Sequence, residues 1–277
     1  MECISNLCNL SVNSSNKIIC NNQTTTLTSS KIIFRGENNV LVLEDGVHLR
    51  DSVISFNGNG AVCYLSSNRF DYYIDAVICN FCCIYIGENC YFNWRKRASL
   101  TASEYQNIII GRDGLFSFDI HLLTADLHPI YDCDTGRRIN QSKSVFIGDH
   151  VWLGQSTLIL KGSRIGSGSI IGGGSVLTGK TVPSNTSFAG NPAKILRTGV
   201  FFSAECVNNW SLEKHLEAET SPSKQWVFEP VIDEYIDFSY IDKKIKAASI
   251  PQDKIRILDR YLVKNTSKNR FFIPLEK

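Results

Sequence analysis

Between residues 147 and 194 the chain repeats every six residues, and that period leaves few folds open. Ile147, Leu153, Ile159, Ile165, Ile171, Leu177, Pro183 and Ala189 follow at intervals of six, and the first six are aliphatic. Four places further on in each hexad stand Val151, Thr157, Ser163, Ser169, Ser175, Thr181, Ser187 and Ala193, all small or β-branched. An α-helix would carry the aliphatic series round its surface in a spiral, and a plain strand needs a period of two. A chain that turns a corner every six residues satisfies both series. The aliphatic residue fills the inside, the small residue sits at the tight corner, and three hexads close a triangular turn. Stacked turns then pair their backbone groups with one another. The spacing predicts a parallel β-helix.

Upstream the pattern is looser. From residue 31 to 66 short apolar segments alternate with turn signals such as Glu44-Asp45-Gly46 and Asn57-Gly58-Asn59-Gly60, as expected of imperfect early turns. Ile86-Gly87 and Ile110-Gly111 each open a hexad, and their 24-residue separation reads as four hexads. Residues 1–30, rich in Asn, Ser and Thr, are expected to be an irregular cap or first turn, and the regular coil to run over 31–197. Residues 124–143, with Pro129, Gly136 and many polar groups, cannot continue it. A polar loop extruded from a rigid prism is a common place for functional groups. Beyond Arg197 the hexads stop, leaving a C-terminal extension, 198–277. A helix is expected over 251–264, with Ile255, Leu258, Tyr261 and Leu262 on one face. From residue 242 onward ten Lys or Arg face four Asp or Glu. A solvated basic tail is the plain account; an anionic glycan or a membrane surface is the sharper one.

Composition excludes several classes. Charged residues make up 20% and the formal charge is +2, so no strong field points to nucleic acid. No run of about 18 apolar residues marks a membrane span. The first residues lack a basic start and apolar run, so a cytoplasmic location is expected. Ten cysteines are scattered, and Cys79, Cys82 and Cys83 are not followed by a second regularly spaced pair. Reduced thiols packing as small apolar groups are expected, with no metal.

Three segments carry a family resemblance: Ile147-Gly148-Asp149-His150-Val151-Trp152-Leu153-Gly154, Ile165-Gly166-Ser167-Gly168-Ser169 and Ala189-Gly190-Asn191-Pro192-Ala193-Lys194. They resemble hexapeptide-repeat acyltransferases. The resemblance covers about residues 84–197 and implies an all-β, left-handed parallel β-helix, a homotrimer, and acetyl-CoA as acyl donor. The segment Thr124-Ala125-Asp126-Leu127-His128-Pro129-Ile130 resembles the loop that carries the family's catalytic histidine. His128 is therefore expected to be the general base, since an imidazole accepts protons near neutral pH. Asp126 is a candidate to fix its tautomer. His121 and His150 are expected to be structural surface residues.

By the same resemblance Asn93 and Trp152 meet the acceptor sugar. Gly154 and Gly173 let the pantetheine approach, and Lys180, Lys194 and Arg197 stand near the nucleotide phosphates. Gln155 departs from the small residue usual at its place, either narrowing the groove or supplying an oxyanion donor. The run Tyr131-Asp132-Cys133-Asp134-Thr135-Gly136-Arg137-Arg138-Ile139-Asn140 resembles the branch that O-acetylates surface polysaccharides. The expectation is an O-acetyltransferase acting on a capsular or similar glycan or its precursor, by direct transfer. An N-acetyltransferase for an amino sugar nucleotide and a non-catalytic scaffold stay open as alternatives.

Overall fold

Ile147 pairs with Ile165, and Leu153 with Ile171, each exactly one 18-residue turn further on. Ile159 lies beside Leu177 in the same way. All six side chains are fully buried, so the hexad places its aliphatic residue inside a three-sided coil. The structure, a computed structural model, describes residues 1–7, 15–221 and 223–275.

The chain visits three faces in turn. The first is an eight-stranded sheet from Glu2–Ile4 and Lys31–Phe34 through His121–Leu123 to Leu158–Ile159 and Val176–Leu177. The second, also eight-stranded, runs from Lys17–Ile19 through Val145–Ile147 to Thr181–Val182. The third stacks Tyr91–Phe92, Leu115–Phe116, Trp152–Leu153, Ile170–Ile171, Thr186–Gly190 and Ala193–Thr198. Parallel pairing dominates, with antiparallel strands at each end of the stack. The architecture is a parallel β-helix with a small helical C-terminal part.

Three expectations need correcting. After Leu177 the next inward residue is Val182, five places on, with Gly179 in the left-handed region (φ 63°) at the corner. Val182 and Phe188, not Pro183 and Ala189, therefore continue the inward column, paired with Ile165 and Ile171. A one-residue shortening flips which side chains face in. Second, Ile86 and Ile110 are direct neighbours in one sheet, so the 24 residues between them make one wide turn and not four hexads. Longer strands widen these turns, and aromatic side chains fill the larger section. Phe34 stacks on Phe56 with centroids 4.8 Å apart, and Phe92 lies 5.0 Å from Phe116. Third, of the two readings of the N-terminal stretch, residues 17–28 take the first turn and not the irregular cap. Lys17–Ile19 and Thr26–Thr28 pair in parallel with Val40–Leu43 and His48–Arg50, forming two sides of a coil turn.

The second face explains the C-terminal extension. Val40, Val42, Tyr64, Tyr85, Ile109 and Phe146 point outward, yet they are buried beneath residues from the last third of the chain. Helix α1 (Leu212–Glu217) buries nothing, whereas α2 (Phe238–Ala247) and α3 (Pro251–Leu258) lay Phe238, Ile241, Ile245 and Leu258 on this face. A π-helical turn, Asp259–Val263, prolongs α3 over most of the expected range and adds buried Leu262. The basic stretch is not simply a solvated tail, because Lys254 and Arg270 are each 1% exposed. Lys254 donates to the Phe81 carbonyl, and Arg270 pairs with Asp149. Among the described residues no helix is long and apolar enough to cross a membrane.

Candidate active site

The extruded loop is an ordered hairpin held by Asn140. Residues 131 and 138 bridge its arms, and the Asp132 carboxylate closes its tip by accepting from Thr135 N (2.8 Å) and Oγ1 (2.7 Å). Buried Asn140 spans the base. Its Nδ2 donates to Asp126 Oδ2 and to the His128 carbonyl, both at 2.8 Å, and its Oδ1 accepts from Ile130 N at 2.8 Å. Lys161, one rung further along the coil, donates to Asp126 Oδ2 (2.6 Å) and to the Asn140 carbonyl (3.0 Å). These contacts fix the backbone of His128 and leave its imidazole exposed.

Asp126 is thus placed differently from the expectation. Its carboxylate faces Lys161 and Asn140, which hold its pKa below the usual range. No hydrogen bond joins it to the His128 imidazole among the described residues. Asp126 braces the loop. The residues that do the holding, Asn140 and Lys161, escaped the sequence reading, although Asn140 lies in the run that carries the resemblance.

The remaining candidates fall on particular edges of the prism. The loop leaves the edge between the first and second faces, and Lys180 lies on that same edge. The edge between the third and first faces carries Asn93, then two levels on Gly154 and Gln155, and at the next level Gly173, with Trp152 on the third face beside it. Lys194 and Arg197 lie on the last strand of the third face, opposite Ala189 and Ser187. Within one chain the structure therefore gathers Asn93, Trp152, Gly154, Gln155 and Gly173, and it sets His128 and Asp126 apart from them across the first face.

The two glycines differ in what they do. A Cβ on Gly154 would stand 2.5 Å from the Gly173 nitrogen, whereas one on Gly173 would meet nothing closer than Gln155 O at 3.3 Å. Gly154 is required by the stacking of turns, and Gly173 leaves an open, exposed edge. Gly154→Ala should lower stability by about 1–3 kcal/mol, as overpacking does, and Gly173→Ala by less. Thermal denaturation of the two variants checks the order. The exposed backbone at Gly173 and Gly174, with exposed Lys180, Lys194 and Arg197, suits a long phosphorylated thioester. None of those three cations sits in an ion pair among the described residues.

The other histidines divide. His121 is exposed as expected, with Nε2 3.2 Å from Asp119 Oδ1. Asp119 also binds Lys96 and Ser156, and Lys96 above all holds its pKa down to about 2. His150 contradicts the expectation of a surface residue: it is 2% exposed. Its ring lies parallel to Phe202 and Trp226, with centroids 4.0 and 3.6 Å away, and Nε2 donates to the Phe202 carbonyl. Burial lowers its pKa to about 4. An unfolded histidine titrates near 6.5, so this site favours folding above that pH and loses the contribution as pH falls toward 4. A His150→Phe variant should lack that share, up to about 3 kcal/mol, of the wild-type decline between about pH 6.5 and 4. Urea melts across that window measure it. Cys82 and Cys83 are buried, and burial raises their thiols to about 11 and 12. Among the described residues no three His, Cys, Asp or Glu side chains converge as a metal site.

Comparison with known proteins agrees with the coil fold. The family model described as "Bacterial transferase hexapeptide (six repeats)" matches residues 144–179. A polysialic acid O-acetyltransferase of Neisseria meningitidis is 29% identical over 143 residues, 51% of this chain and 65% of the relative. A second one, from Escherichia coli O1:K1 / APEC, is 45% identical over 96 residues, 35% of this chain and 31% of the relative. The chain thus spans under two thirds of the length of either relative. Among solved structures, the polysialic-acid-specific acetyltransferase NeuO superposes with a TM-score of 0.62 at 29% identity, covering 74% of this chain and 94% of NeuO. The coil has the left hand that the resemblance implied. Its hexads, its extruded loop and these relatives bear out the resemblance to hexapeptide-repeat acyltransferases.

Proposed function

We propose that the chain is an acetyl-CoA-dependent O-acetyltransferase acting on hydroxyls of a surface polysaccharide or its precursor, with polysialic acid as the first acceptor to test. The observation that carries this is the split site. His128 stands on one edge of the prism, which it shares with Lys180, and Asn93, Trp152, Gly154, Gln155 and Gly173 stand at another. The first face between them presents Leu123, Leu158, Leu160 and Val176 outward, all only half-buried. A second copy set against this face would bring its edge to the first copy's loop. Three copies close a ring with three equivalent sites. The two polysialic acid O-acetyltransferase relatives support the acceptor class.

In this arrangement the chain's own groups have separate tasks. Asn93 and Trp152 hold the sugar ring, by hydrogen bond and by stacking. Gly173 and Gln155 line the groove for the pantetheine arm, and Lys180, Lys194 and Arg197 hold phosphates. The thioester supplies an activated acetyl group. His128 takes the proton of the attacking hydroxyl, and the pair Asn140 and Lys161 keeps the loop rigid while it does so. A cytoplasmic setting, where acetyl-CoA is available, belongs to the same proposal.

Incubation with labelled acetyl-CoA and polysialic acid tests it. Label should enter the polymer and be released by mild alkali, as an ester is. Label that resists alkali would mean an amide and an amino acceptor instead. Failure to bind acetyl-CoA at all would leave only a scaffold.

A further inference from the structure

The turn between Phe92 and Ala98 carries Asn93-Trp94-Arg95-Lys96-Arg97, and only Asn93 has been given a task. Trp94 is 65% exposed, and its ring meets the Arg95 guanidinium 5.9 Å from its centroid. The Asn93 side chain accepts from Arg95 N at 3.0 Å, which shapes the turn. Lys96 is paired with Asp119, but Arg95 and Arg97 are exposed and form no ion pair among the described residues. A large aromatic face beside two unneutralised guanidinium groups does nothing for the core.

Position gives the patch its meaning. It lies on the edge between the third and first faces, two levels from Gly154 and Gln155. Lys96 to Asp119, and Asp119 to Ser156 at 3.0 Å, tie these three levels together. With strands about 4.8 Å apart, the patch is roughly 10 Å along the axis from the groove. One sugar ring does not reach both places; an oligosaccharide does.

We propose that Trp94, Arg95 and Arg97 form a docking subsite for an anionic glycan, binding carboxylated sugars one or more residues away from the one being modified. The inference rests on the glycan acceptor proposed above. Guanidinium groups bind carboxylates, and the indole face takes the apolar side of a sugar ring. Such a subsite favours polymer over short fragments, because the second contact is made at high effective concentration.

The test is equilibrium binding of the full chain, without acetyl-CoA, to long-chain polysialic acid and to a short oligomer of the same sugar. Wild-type protein should bind the polymer more tightly and lose affinity as salt rises. The Arg95→Ala/Arg97→Ala double variant should lose roughly fivefold to tenfold in polymer affinity and have a smaller salt dependence. Trp94→Ala should lose a similar factor with the salt dependence kept. Arg95→Lys/Arg97→Lys should restore part of the loss and shows that the turn still folds. Equal polymer affinity of the Ala double variant and wild type would overturn the proposal, as would wild-type protein that ignores the polymer. Tight, Arg95-dependent polymer binding without acetyl transfer would sustain the subsite and sink the catalytic proposal.

Discussion

His128→Ala is expected to fold normally and to lose turnover by about 10²–10⁴-fold, the usual contribution of a positioned general base. The imidazole is exposed, and the loop is held by the His128 backbone, Asn140 and Lys161, none of which needs the ring. Thermal stability should therefore move by no more than about 0.5 kcal/mol, as for surface substitutions generally. Michaelis constants should change little, because a base that acts in the transition state adds little to ground-state binding. His121→Ala is the matched control. It removes an exposed histidine that is paired with an aspartate, which makes it the more plausible dyad on geometry alone. If His121→Ala is inert and His128→Ala retains full turnover, the base has been assigned to the wrong residue.

Arg270→Ala is expected to have the largest effect on stability. Arg270 donates through Nε to Asp149 Oδ2 at 2.8 Å and through Nη2 to Oδ1 at 2.9 Å. Its Nη1 also reaches the carbonyls of Leu262 and Asn265, both at 2.5 Å. Both partners are almost wholly buried. Removing the guanidinium leaves the buried Asp149 carboxylate with only the Arg112 N–H at 2.8 Å and the Arg112 guanidinium at 3.9 Å, which costs on the order of 3–5 kcal/mol. The same change frees the end of the C-terminal part from the coil and exposes the apolar second face. Chemical denaturation should show the loss, and limited proteolysis should cut after residue 198 much faster than in wild-type protein. A double variant, Asp149→Leu/Arg270→Met, removes the charge along with its partner and should recover much of the stability. Unchanged denaturation of Arg270→Ala would show that the pair does not anchor the extension.

What could be read in the sequence was whatever repeats locally. The aliphatic column from Ile147 to Leu177 announced the coil, because each hexad must satisfy the same corner. The loop was legible as the place where that pattern fails. The slip at Gly179 was not, since one missing residue changes the register without changing the composition. The wide early turns were misread because Ile86 and Ile110 happen to stand a multiple of six apart. His150 was misread for a different reason: Phe202 and Trp226, which bury it, come from more than fifty residues away. One further signal is present in the sequence. Val40–Leu43 and Cys83–Ile86 are apolar without alternation, the mark of a strand covered on both sides. That run implied that something must lie on the second face. The residues bracing the loop, Asn140 and Lys161, were hidden because hydrogen bonds across a hairpin have no sequence period.

The central claim is that each site needs two copies of the chain, one giving the loop and the other the edge. Mixing two inactive variants tests it most directly. His128→Ala supplies an intact edge, and Trp152→Ala supplies an intact loop. Unfolded, mixed in equal amounts and refolded together, they should regain about a quarter of wild-type activity, because random assembly pairs a sound loop with a sound edge at one site in four. If the mixture forms hybrid oligomers yet stays as inactive as its parents, the two residues serve one site within a single chain, and the split-site account is wrong.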